Sequence, residues 1–184
     1  VTKEKSFDIG LSLVDVIYGV VFAYGFNLIN STHNYFELFR FFFAYLILII
    51  DWFYSHQTYQ KNLYQKKFII LDLLILFSFS RILAYSITEN SIFYFWIALA
   101  FIIYLFWDRI SQTIWHQPFR QLITNMIGDG IGAVSFLIIW ILVNQNPNFA
   151  NNIWLAIIST AVYLIAIGFW YFKPKRKTPH LNGA

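Results

Sequence analysis

Asp15, Asp51, Asp72 and Asp129 each interrupt a run of apolar residues, where a carboxylate is well suited to hold a proton or a cation. An acid near the centre of a bilayer costs about 2.5 to 3.5 kcal/mol on insertion scales, so each must face a partner, water or a cation rather than lipid. Glu37, Arg40 and Arg81 form a second charged set. Glu37 and Arg40 stand three apart and so share a helical face. The preferred reading is a buried network that clamps two helices; the functional one is a charge filter at an outer mouth. His56 follows Asp51 by five residues in ILIIDWFYSH, about 500° of helical turn, so the two do not share a face well and His56 reads as interfacial and structural.

Other chemistry is excluded or unsupported. The chain has no cysteine, which rules out disulfides, thiolate metal sites and thiol catalysis. His33, His56, His116 and His180 lack metal-ligand spacing. No Ser-His-Asp pattern, HExxH or Walker-type loop is present, so neither an enzyme nor a cofactor is expected. In MIGDGIGAV, Gly128 and Gly132 form a GxxxG that lets two helix backbones approach closely, with Asp129 inside it.

With 59% hydrophobic and 12% charged residues, the elements that position these acids must be membrane-spanning. Six stretches have the roughly 20 apolar residues a spanning helix needs: Ile9 to Ile29, Tyr35 to Tyr54, Phe68 to Ser86, Ile92 to Trp107, Leu122 to Val143 and Ile153 to Phe172. Runs such as FRFFFAYLILII are continuous rather than alternating, which argues against a β-barrel. The expected fold is all-α, a polytopic membrane protein with six transmembrane helices. Residues 1–172 form its single domain, followed by a basic cytoplasmic tail at 173–184. No cleavable leader is visible, so the first helix is expected to belong to the mature fold.

Lys3, Lys5, Lys61, Lys66, Lys67, Arg109, Arg120 and the tail's basic residues all fall on one side of this arrangement, which predicts cytoplasmic termini. The net charge of +4 therefore sits at helix ends, where orientation and anionic lipid explain it better than nucleic acid does. Measured from the helix midpoints, the four aspartates form one belt roughly 5 to 10 Å to the cytoplasmic side, at about 1.5 Å per residue. The segment DRISQTIWHQPFR reads as a short amphipathic interfacial helix or as a re-entrant turn ended by Pro118. Trp52, Tyr54, Trp107, Trp115, Trp170 and Tyr171 on one side, and Tyr35 and Phe93 on the other, read as aromatic belts. Phe41, Phe42 and Phe43 are expected to face lipid or a neighbouring subunit.

Helix one, VDVIYGVVFAYGFNLIN, the end of helix two, DWFYSHQTYQ, and the opening of helix three, LDLLIL, together resemble the bacterial branch of the transmembrane protein 175 family of potassium-permeable channels. The architecture matches over the whole chain, the motifs over about sixty residues. The resemblance implies a tetramer in the plasma (inner) membrane, helix one lining the pore and an apolar constriction. Aligning Val21, Phe22 and Ala23 with the family's VFA puts Gly19 where that motif has its Asp, the nearest acid here being Asp15, one turn earlier. It implies a constriction at Tyr24, Leu28 and Ser31, two of which replace aliphatic residues. The expected function is a potassium-like cation channel or cation-handling homo-oligomer in the lipid bilayer. A small carrier binding a cationic solute at Asp51, Asp72 and Asp129, or a structural subunit of a larger complex, are the alternatives.

Overall fold

The computed structural model describes residues 3–32, 34–61, 68–87, 90–115 and 119–171. The tail at 173–184, Lys66 and Lys67, and residues 116–118 with His116 and Pro118, lie outside the described residues, as does His33.

Six α-helices account for nearly all of the described chain: α1 (Lys3–Leu28), α2 (Tyr35–Lys61), α3 (Ile69–Ser86), α4 (Asn90–Trp115), α5 (Phe119–Gln145) and α6 (Ile153–Tyr171). Their ends are set by polar side chains. Asn34 Oδ1 accepts the Glu37 backbone N–H at 2.9 Å while Asn34 Nδ2 donates to Glu37 Oε1 at 2.8 Å, a reciprocal cap at the start of α2. Asn152 Oδ1 accepts the Trp154 N–H at 2.8 Å and starts α6 the same way. Short 3₁₀ turns at Ile29–Ser31 and Pro147–Asn151 complete two of the connections.

Lengths and compositions are those of an all-α integral membrane protein. Five helices are long and apolar enough to span, within 14–31, 69–86, 91–115, 119–145 and 153–171. At 27 residues α2 matches them in length, but it carries Glu37, Arg40 and Asp51.

Consecutive helices pack on one another, most extensively α4 on α5, and α1 packs on α3 as well as on α2. The centre is aromatic: the Phe43 ring meets Tyr163 edge-on at 5.6 Å and the Phe101 ring stacks on Phe136 at 6.0 Å. Phe41 and Phe43 are therefore core residues and only Phe42 points outward, because three consecutive positions on a helix cannot share a face. Phe93 is also buried, against Phe43, rather than at an interface.

The α4 helix runs eight residues past the expected Trp107. DRISQTIW is thus its last two turns, with no separate interfacial helix: Ile110 and Ile114 pack on the core while Arg109 stays exposed. An apolar count stops at Asp108, but a helix continues wherever one face is still covered.

Candidate functional site

The acids gather at the end of the bundle where α1 begins and α6 ends. Asp51 on α2 is 1% exposed and accepts hydrogen bonds from the hydroxyls of Tyr18 on α1 and Tyr104 on α4. Ser55, one turn along α2, lies 3.5 Å from the same Tyr18 oxygen. In the first turn of α3, Asp72 accepts from the Tyr59 hydroxyl at 2.8 and 2.7 Å and from Trp107 Nε1 at 3.2 Å. A carboxylate there also faces the positive end of its own helix. Tyr18, Tyr54, Tyr59 and Tyr104 line a cavity beside Asp72 with about 10 Å³ of free space, on the order of one water.

Asp129 on α5 is 0% exposed, and its Oδ1 accepts from Trp170 Nε1 on α6 at 2.7 Å. Asn125, one turn before Asp129 on the same face of α5, reaches Asp108 of α4, which brings the two carboxyls together across the seam. Asp108 is 4% exposed, with Asn125 Nδ2 3.5 Å from its Oδ1. Asn125 also donates to the Tyr54 hydroxyl at 3.2 Å and accepts from Gln121 Nε2 at 2.8 Å.

Asp15 stands apart from these. Half-buried on α1, it accepts from Trp52 Nε1 at 2.9 Å and lies 3.6 Å from His56 Nδ1. Trp52 and His56 are one turn apart on α2, their rings 5.5 Å from centre to centre, so both reach α1 from one face. His56 thus pairs with Asp15 and not with Asp51. An open groove beside them is lined by Asp15, Gly19, Phe22, Trp52 and Phe53.

On the implied constriction stripe, Tyr24 and Ser31 are exposed and Leu28 packs partly against the core. Regular α-helix ends at Leu28 and Ser31 belongs to the 3₁₀ turn, so the three do not continue one ideal stripe. At the opposite end from the acids, Arg40 is 3% exposed and its Nε donates to the Ser86 carbonyl at 3.0 Å, tying α2 to the C-terminus of α3. Arg81 is exposed, with its guanidinium 5.1 Å over the Phe77 ring. Of the three, Glu37 accepts from the capping Asn34, Arg40 holds the Ser86 carbonyl and Arg81 lies over the Phe77 ring.

Sequence reasoning missed Asp108, because beside Arg109 it resembles the solvated end of a span. It also took Trp52, Trp107 and Trp170 for interfacial residues. Trp107 and Trp170 are buried, and all three donate an indole N–H to a carboxylate. Each of these tryptophans shares a depth with one of the acids, a signal that was available. Comparison with known protein families, with curated proteins and with solved structures finds no match for this chain.

Proposed function

We propose that the chain is a cation-conducting membrane oligomer, potassium-like in selectivity, in which copies of α1 surround the pore. The observation that carries this reading is the Asp15–Trp52–His56 cluster: three residues from two of the helices on which the channel resemblance rests meet at one point. The exposure of α1 also supports it. Only 22% of its membrane-length stretch is buried within the protomer, the smallest share among the five spans, and Gly19, Ala23, Tyr24 and Asn27 are exposed on it. Small and polar residues on a membrane helix favour packing against other helices over lipid.

The geometry also changes which acid a passing ion would meet. Asp51 is enclosed by Tyr18 and Tyr104, whereas Asp15 opens on the groove. The cavity beside Asp72 has room for about one water, which favours a path between copies over a solute site inside one.

The test is potassium and then sodium flux into liposomes containing the purified protein. Leu28→Ala is expected to raise flux several-fold by widening an apolar constriction, and Asp15→Asn to lower it by removing the acid that concentrates cations. If wild type and both variants stay silent in both ions, at either polarity, the pore reading fails and a structural subunit of a larger complex takes its place.

A further inference from the structure

The acids of the α4–α5 seam lie inside the protomer, away from α1, and the pore reading makes no use of them. Two details set Asp108 and Asp129 apart from an ordinary acidic cluster. Their outer oxygens are served by neutral groups, Asp129 Oδ1 by Trp170 Nε1 at 2.7 Å and Asp108 Oδ1 by Asn125 Nδ2 at 3.5 Å. Their other oxygens, Asp108 Oδ2 and Asp129 Oδ2, are buried and have no hydrogen-bond partner among the described residues. Two buried acceptors without a donor, on carboxyl groups that face each other, are an incomplete pair.

Among the described residues, no hydrogen bond from a neighbouring helix completes it. From α2 come Tyr54, which accepts from Asn125, and Asp51, a further acid bonded to Tyr104 of α4. From α6 come Trp170, whose N–H is already given to Asp129, and Tyr171, whose ring packs on Tyr54. Gln121 of α5 is used on Asn125. Among the described residues the only contact of ion-pair type is that of His56 with Asp15, so no described base is paired with either acid. Among the described residues, no group of three or more His, Asp or Glu is placed to hold a metal ion there either. A divalent cation requires six or so oxygen ligands, but a proton requires two.

We infer that Asp108 and Asp129 hold one proton between them, making a proton-binding site inside the bundle. A single O–H on one carboxyl, donated to the other, satisfies both orphaned oxygens and removes the repulsion of two like charges in contact. The proton comes from water, and on release returns to it.

The site sits where the helices can least absorb a change. Gly128 and Gly132 flank Asp129. A Cβ on Gly128 would lie 2.5 Å from the Ala166 carbonyl oxygen of α6, and one on Gly132 2.6 Å from the Phe101 ring of α4. Loss of the proton would set two bare charges in this close-packed seam.

The experiment is infrared difference spectroscopy of the full chain reconstituted in lipid, titrated from neutral to alkaline pH. A carboxylic-acid C=O band is expected at neutral pH, shifting in heavy water and disappearing at alkaline pH with one proton released per chain. Asp108→Asn and Asp129→Asn should each abolish that band, because the new amide N–H donates to the remaining carboxylate. Asp51→Asn should leave it in place. Absence of the band from the wild-type protein at neutral pH overturns the inference without recourse to any variant. So does its survival in both single variants, or its loss on adding sodium or potassium chloride at constant pH, which would identify a bound cation instead.

Discussion

A carboxylate moved out of water needs donors to replace the water it has lost, and Asp51 receives two, from two different helices, α1 and α4. Tyr18→Phe and Tyr104→Phe should each lower stability by about 1–2 kcal/mol. The double variant should lose more than the sum, since it strips the acceptor of both hydroxyl donors. Unfolding midpoints in detergent for the four proteins of the cycle measure this directly, and simple additivity would argue against a shared acceptor. The acids themselves were legible because charge in an apolar run is costly. Their donors were not, because Tyr104 reaches Asp51 across 53 positions of sequence and only packing brings them together. Asp15 meets Trp52 and His56 and opens on a groove while Asp51 is enclosed, a difference of helical face that depth along the helix cannot resolve.

Among the elements, α5 offers the sharpest contrast. Gly128 and Gly132 pack against a backbone carbonyl and a buried ring, whereas a Cβ on Gly130 would meet nothing within 4 Å. Gly128→Ala and Gly132→Ala should each destabilise by about 1–3 kcal/mol through overpacking. Gly130→Ala should be neutral or stabilising by up to about 1 kcal/mol, from helix propensity alone. Thermal unfolding of the three variants separates them, and equal effects would mean that the seam is looser than the contacts indicate. The GxxxG spacing announced a close approach. It did not say that α6 would meet Gly128 and α4 would meet Gly132, so that one motif fastens two neighbours. The extent of α4 was misjudged for a related reason: Asp108 looked like an end, but Asn125 of α5 supplies the partner that lets the helix carry it inside.

For the whole molecule, the uneven packing of α1 decides what can assemble. Among the described residues nothing lies within 4 Å of a Cβ placed on Gly19, which is exposed. A protomer standing alone should tolerate Gly19→Leu with little change in stability. If copies meet along α1, the same substitution should shift the protein from oligomer to monomer on mass photometry in detergent while leaving its helical circular dichroism unchanged. An unaltered oligomer would move the interface elsewhere. The helical class and the apolar spans could be read along the chain because burial in lipid and burial in protein select similar residues. That similarity is also why Phe41, Phe42 and Phe43 could not be sorted into core and surface: in a bilayer an apolar side chain is equally at home on either side of its helix.

Tryptophans bond to three of the acids: Trp52 to Asp15, Trp107 to Asp72 and Trp170 to Asp129. An excited indole is sensitive to charge beside its N–H, so the protein carries a built-in optical readout of its carboxylates. Intrinsic emission should follow protonation or ion entry at each acid without any added label. Trp52→Phe, Trp107→Phe and Trp170→Phe would then assign the changes in light to α1, α3 and α5 in turn.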